Sequence, residues 1–73
     1  MASQVVMDHS GDTRHYFDAT NPQALQEAEE RFWQLTGAGF TAAKRKPSGE
    51  PELIRRFDST AEETLFFPRL VGG

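Results

Sequence analysis

The sequence contains no cysteine. Disulfides, thiolate metal sites and thiol nucleophiles are excluded together, so the fold must rest on an apolar core or on a partner. No apolar run approaches the ~20 residues of a membrane span, and no secretory signal is read, so the expected compartment is the cytoplasm. Cations are in the minority, with eight Lys and Arg against eleven Asp and Glu for a net charge of -3. That balance argues against a general nucleic-acid binder. Lysine is scarcer still: Lys44 and Lys46 are the only two. With 73 residues, 37% of them hydrophobic, the chain is sized for one domain, and chains this short bury only about 60% of their unfolded surface. Few residues remain to shape a water-shielded pocket, so a binding module, adaptor or modifier is expected ahead of an enzyme.

What is present is bulk and pattern. Six Phe, one Trp and one Tyr supply core volume. Asn21 can cap a helix and Pro22 suits its first turn, and Leu25, Ala28, Phe32 and Leu35 then recur at the helical period. The opposite side carries Gln23, Gln26, Glu27, Glu30 and Gln34. Gly37 and Gly39 stop the element, which predicts a helix over Pro22 to about Thr36. Trp33 lies about 100° around from Phe32, where it serves either as a core-edge residue or as an exposed partner-binding aromatic.

Ahead of the helix, Gln4–Met7 and Thr13–Phe17 are β-prone runs joined by the polar turn 8–12. Behind it, Phe40–Lys46 and Glu52–Phe57 flank the turn-rich segment 47–51. Alternation in the second of these places Leu53, Arg55 and Phe57 on one face, Ile54 and Arg56 on the other. Ser59 or Thr60 with Glu62 or Glu63 gives a weak capping signal for a short helical turn. Thr64–Phe67 is a fifth strand, and Pro68, which cannot donate to a ladder, closes it.

The order strand-strand-helix-strand-strand-strand predicts an α+β fold with one helix packed on a mixed sheet. A ferredoxin-like unit would require a second long helix, which 60–63 is too short to supply, so the β-grasp arrangement is expected. It places the last strand mid-sheet, where the apolar run Leu65-Phe66-Phe67 belongs. Residues 1–67 form the predicted domain, and 68–73 a flexible tail.

Hairpin, capped helix and last strand, followed by Pro68-Arg69-Leu70-Val71-Gly72-Gly73, resemble the ubiquitin-like proteins, whose last strand runs through arginine and leucine into a terminal diglycine. Arg69, Leu70, Gly72 and Gly73 match that ending; Pro68 and Val71 stand where ubiquitin has leucine and arginine. The resemblance implies that Gly73 is the conjugated residue, that Gly72 is its slender approach, and that Arg69, Leu70 and Val71 are read by an activating enzyme. It implies no bound cofactor and no catalytic or metal-ligating residue in this chain. ATP is consumed by the activating enzyme, and a conjugating enzyme, target proteins and a deconjugating peptidase complete the partners. Physically, a carboxylate that must enter a narrow pocket is served by a thin backbone without side chains. The alternatives are a non-covalent adaptor or small phage or mobile-element structural protein, and a sulfur carrier using a C-terminal thiocarboxylate.

Charge is unevenly distributed. Residues 1–43 hold two cations against six acids, and residues 44–73 hold six against five. Pairing of the third and fourth strands would gather Lys44, Arg45, Lys46, Arg55 and Arg56, either as a partner patch, with Trp33 as a further contact, or as solvated gatekeepers of an edge. Lys44 and Lys46, the only lysines, are with the N-terminus also the candidate acceptors should copies of the chain be joined to one another, which predicts single attachment or short chains. Asp8, His9, Asp12 and His15 match no metal-ligand spacing, and hairpin chemistry accounts for Asp8, Ser10, Gly11 and Asp12.

Overall fold

The computed structural model describes residues 1–68. Six elements follow in order: β1 (Ala2–Asp8), β2 (Gly11–Phe17), α1 (Pro22–Gly37), β3 (Phe40–Arg45), β4 (Pro51–Ile54) and β5 (Glu63–Pro68). The fold is α+β, one helix on a five-stranded mixed sheet of order β2-β1-β5-β3-β4. β5 lies in the middle, parallel to β1 and antiparallel to β3. The β1–β2 hairpin closes tightly, with Asp8 opposite Gly11.

Local chemistry accounts for the boundaries. Asn21 Oδ1 accepts the Gln23 and Ala24 N–H groups at 3.0 and 3.3 Å, and Pro22 follows in the first turn. At the other end Ala38 N–H reaches Gln34 C=O at 3.0 Å, and Gly39 takes φ 101°, a conformation open to glycine that turns the chain back into β3. A motif repeats at three other turns. Asp8, Asp18 and Asp58 each accept both the backbone N–H and the hydroxyl of the residue two positions on, Ser10, Thr20 and Thr60. These short Asp-x-Ser/Thr turns satisfy backbone donors that the reversals would otherwise leave bare.

The core lies between α1 and the middle of the sheet. Phe32 and Phe66 are completely buried with their rings 5.8 Å apart and steeply inclined, and Phe57 meets Phe32 at 6.0 Å. Ala42 shares this cluster, and Val6, Leu35, Phe40 and Ile54 pack around it. Of the expected helical stripe, Ala28 and Phe32 are buried while Leu25 and Leu35 are half-buried at its margins.

Gln4 is also completely buried. Its Nε2 donates to Ala28 C=O at 2.9 Å, and its Oε1 accepts from Arg31 Nη1 at 2.8 Å, so the amide joins β1 to α1 with no orphaned group. His15 lies nearby, and burial, aided by the Arg31 charge, holds its imidazole below its ordinary range.

Two expectations require correction. β4 does not continue to Phe57: it ends at Ile54, and a bend at 55–56 follows. Leu53 and Phe57 therefore do not share a face. Leu53 is 69% exposed, whereas Phe57 swings back beside Ile54 into the core. Burying Phe57 on Phe32 outweighs continued alternation along an exposed edge. Pairing of β5 also runs one residue past Phe67, with Pro68 opposite Phe40. Terminal strand positions tolerate proline because the ladder need not continue beyond them.

Phe66→Ala is expected to lower the unfolding free energy by about 3–5 kcal/mol, as for other large-to-small changes in a packed core, whereas Leu53→Ser stays within about 0.5 kcal/mol. Urea titrations followed by circular dichroism would measure both.

Candidate functional site

The conjugation residues Gly72 and Gly73, and the tail-recognition residues Arg69, Leu70 and Val71, lie outside the described residues. What the fold defines is where the chain departs toward them. β5 runs parallel to β1 from Glu63 opposite Ser3 to Phe66 opposite Val6 and ends at Pro68 beside the start of β3. β5 thus ends at the end of the sheet where β1 finishes and β2 and β3 begin.

The opposite end of the sheet carries a groove of about 840 Å3 whose lining includes Ser3, Tyr16, Lys46, Thr60 and Glu62. One carboxylate organises it. Glu63 accepts from Arg45 Nε at 2.7 Å through one oxygen and from Arg14 Nη1 at 3.0 Å through the other. Arg14 reaches across β1 to do so, touching Ser3 Oγ at 3.2 Å and stacking 5.8 Å from the Tyr16 ring centre. The two guanidinium groups, Arg45 foremost, hold the Glu63 carboxyl below its usual range. Strands β2, β5 and β3 are tied together by this one side chain.

The five cations of the expected patch are divided. Lys44 and Arg45 are successive strand residues and point to opposite faces of β3. Arg45 joins Glu63 and also donates from Nη1 to Gly49 C=O at 2.9 Å. Lys44 Nζ is 2.7 Å from Asp58 Oδ2, and that contact is the largest cause raising its ammonium above the ordinary range. Asp58 is correspondingly depressed to about 2, by Lys44 first and then by the Thr60 hydroxyl and N–H. Lys46 follows β3 and is exposed, and Arg55 and Arg56 occupy the bend after β4. Among the described residues none of these last three makes an ion pair. Trp33 lies at the edge of the core. It is 48% exposed, its ring meets Phe32 edge-on at 5.0 Å, and its Nε1 donates to Glu29 at 3.2 Å.

Sequence reasoning missed Glu63 and Asp58. The Asp-x-Ser/Thr spacing marks Asp58 as a turn acceptor, but no local signal pairs it with Lys44, fourteen positions earlier. Compared with protein-family models, curated proteins and solved structures, the chain matches none.

Asp8 and Asp18 are also held below the ordinary range, by the hydrogen bonds from Ser10 and Thr20, but the pH dependence of the paired site follows from Asp58 and Glu63. Their folded pKa values lie below the unfolded ones, so their stabilisation is complete above about pH 5 and is lost as pH falls toward about 2, where Asp58 protonates. Melting temperature is expected to fall across that window, and Asp58→Asn to make the fall shallower. Scanning calorimetry from pH 7 to 2 on both proteins would show it, and parallel profiles would refute the assignment.

Proposed function

We propose that this chain is a β-grasp, ubiquitin-like protein modifier, carried through the active sites of separate enzymes. The observation that carries the reading is the place of β5. Among the described residues the last strand occupies the middle of the sheet beneath the one helix, in the order β2-β1-β5-β3-β4, and the sequence continues from it directly into Arg69-Leu70-Val71-Gly72-Gly73. A segment leaving from such a braced strand can be threaded into another protein's site while the domain stays folded.

The chemistry belongs to the Gly73 carboxylate, either as encoded or after a peptidase trims a longer precursor. An activating enzyme joins it to ATP as an acyl adenylate with release of pyrophosphate. An enzyme thiol displaces AMP to form a thioester, and a target amine then attacks the carbonyl, forming an amide and freeing the thiol. Gly72 and Gly73 carry no side chains to obstruct those approaches. Arg69, Leu70 and Val71 are the side chains that an activating enzyme can read. ATP is used by that enzyme, not bound here, and its supply places the reaction in the cytoplasm.

Incubation with ATP and an extract of the native host, followed by intact-mass analysis, tests this. A dithiothreitol-labile adduct on the intact chain, absent after deletion of Gly73, is the expected result. Identical behaviour of intact and deleted chains, with neither thioester nor conjugate formed, would overturn the proposal.

A further inference from the structure

Two lysines separated by one residue sit in sharply different surroundings. We infer that Lys46 is the lysine of this chain that accepts acyl groups, and that Asp58 withholds Lys44 from the same chemistry.

Lys44 is held from several sides. Its Nζ lies 2.7 Å from Asp58 Oδ2, and 30% of its side chain is exposed. Asp58 cannot easily swing away, because its other oxygen accepts the Thr60 N–H at 2.9 Å and the Thr60 hydroxyl at 2.6 Å. Both neighbours across the ladder, Glu52 on β4 and Thr64 on β5, are polar, and Glu52 adds to the field favouring the ammonium. An amine kept protonated against a fixed carboxylate is not a nucleophile.

Lys46 combines a fixed backbone with a side chain that makes no ion pair among the described residues. Its N–H donates to Glu50 C=O at 2.8 Å and its C=O accepts from Gly49 N–H at 2.8 Å, closing a short loop in which Gly49 takes φ 92°. Arg45 braces the same loop through Gly49 C=O. Among the described residues no carboxylate lies within 4.0 Å of the Lys46 ammonium, and the residue is exposed at the groove. Lys44 lines the same groove, at the sheet end opposite Pro68 where β5 ends, so the pairing with Asp58, and not position, separates the two lysines.

The acyl donor is a thioester. Unprotonated Lys46 Nζ attacks its carbonyl, the C–N bond forms as the C–S bond breaks, and the thiolate leaves with the amine's proton. Resting on the function proposed above, the donor is the Gly73 thioester of a second copy, which restricts side-chain linkage between copies to one position.

The chemical arm of the test uses sulfo-N-hydroxysuccinimide acetate in limiting amount, with occupancy at each lysine read by fragmentation mass spectrometry. Lys46 is expected to label about three- to fivefold faster than Lys44, the upper part of the scale set by a partly exposed ion pair. Asp58→Asn, checked for folding by circular dichroism, should narrow the gap to within about twofold. Equal labelling in the unmodified protein, or preference for Lys44, overturns the inference without the need of any variant. The enzymatic arm compares Lys46→Arg with Lys44→Arg in the native host. Loss of amine-linked copies in the first and their retention in the second supports the inference, and linkage through Lys44 overturns it. Selective chemical labelling of Lys46 in a host that forms no conjugates supports the inference and counts against the modifier function.

Discussion

The contact of Phe32 with Phe66 holds helix and sheet together. Phe66 belongs to the strand at the middle of the sheet, and Phe32 to the middle of the only helix among the described residues, so one aromatic pair joins the two layers at their centres. Around it Phe57, Ile54, Phe40, Leu35 and Val6 complete a core that a short chain can barely enlarge. Small residues make the approach possible. Ala28 on the helix and Ala42 on β3 are both buried, and bulkier side chains there would hold the helix away from the rings. Buried Gln4 orients what the aromatic contact attracts, since its two hydrogen bonds specify where along β1 the helix lies.

Polar interactions on the surface follow from that placement. Glu63 begins the middle strand, and from there its carboxylate can meet arginines from strands on either side. Asp58 lies in the connection that brings Phe57 against the core, so the packing of that half-buried ring and the pairing with Lys44 depend on the same turn. Core and surface are thus coupled through 57–62, a segment with no helix or strand of its own between the bend after β4 and the start of β5 at Glu63.

Much of this arrangement was legible from the residues. Asn21-Pro22, the apolar stripe ending at Leu35 and the paired glycines at 37 and 39 mark α1 almost to the residue, because capping and helical periodicity are local. The mid-sheet place of β5 could be inferred because a continuous apolar run is costly at an edge. The end of β4 was not legible. Alternation through Arg55 and Phe57 is locally acceptable for a strand, and Phe57 leaves it for a contact with Phe32, twenty-five positions away. The candidate site was legible in composition and not in pairing. Lys44 and Lys46 look equivalent in the sequence, and the difference between them is made by Asp58 across the fold. Arg69 to Gly73, on which the functional expectation is concentrated, lie outside the described residues.

The parallel pairing of β1 with β5 has a consequence for biosynthesis. Ser3 meets Glu63 and Val6 meets Phe66, so the middle of the sheet joins nearly the first described residues to nearly the last. A chain emerging from the ribosome can form the β1–β2 hairpin and the helix early, but each is marginal without the other layer. The aromatic pair cannot assemble until Phe66 has left the exit tunnel. Folding is therefore a late, concerted event of high contact order, and Val5, Val6 and Phe32 remain uncovered while the ribosome completes the last strand.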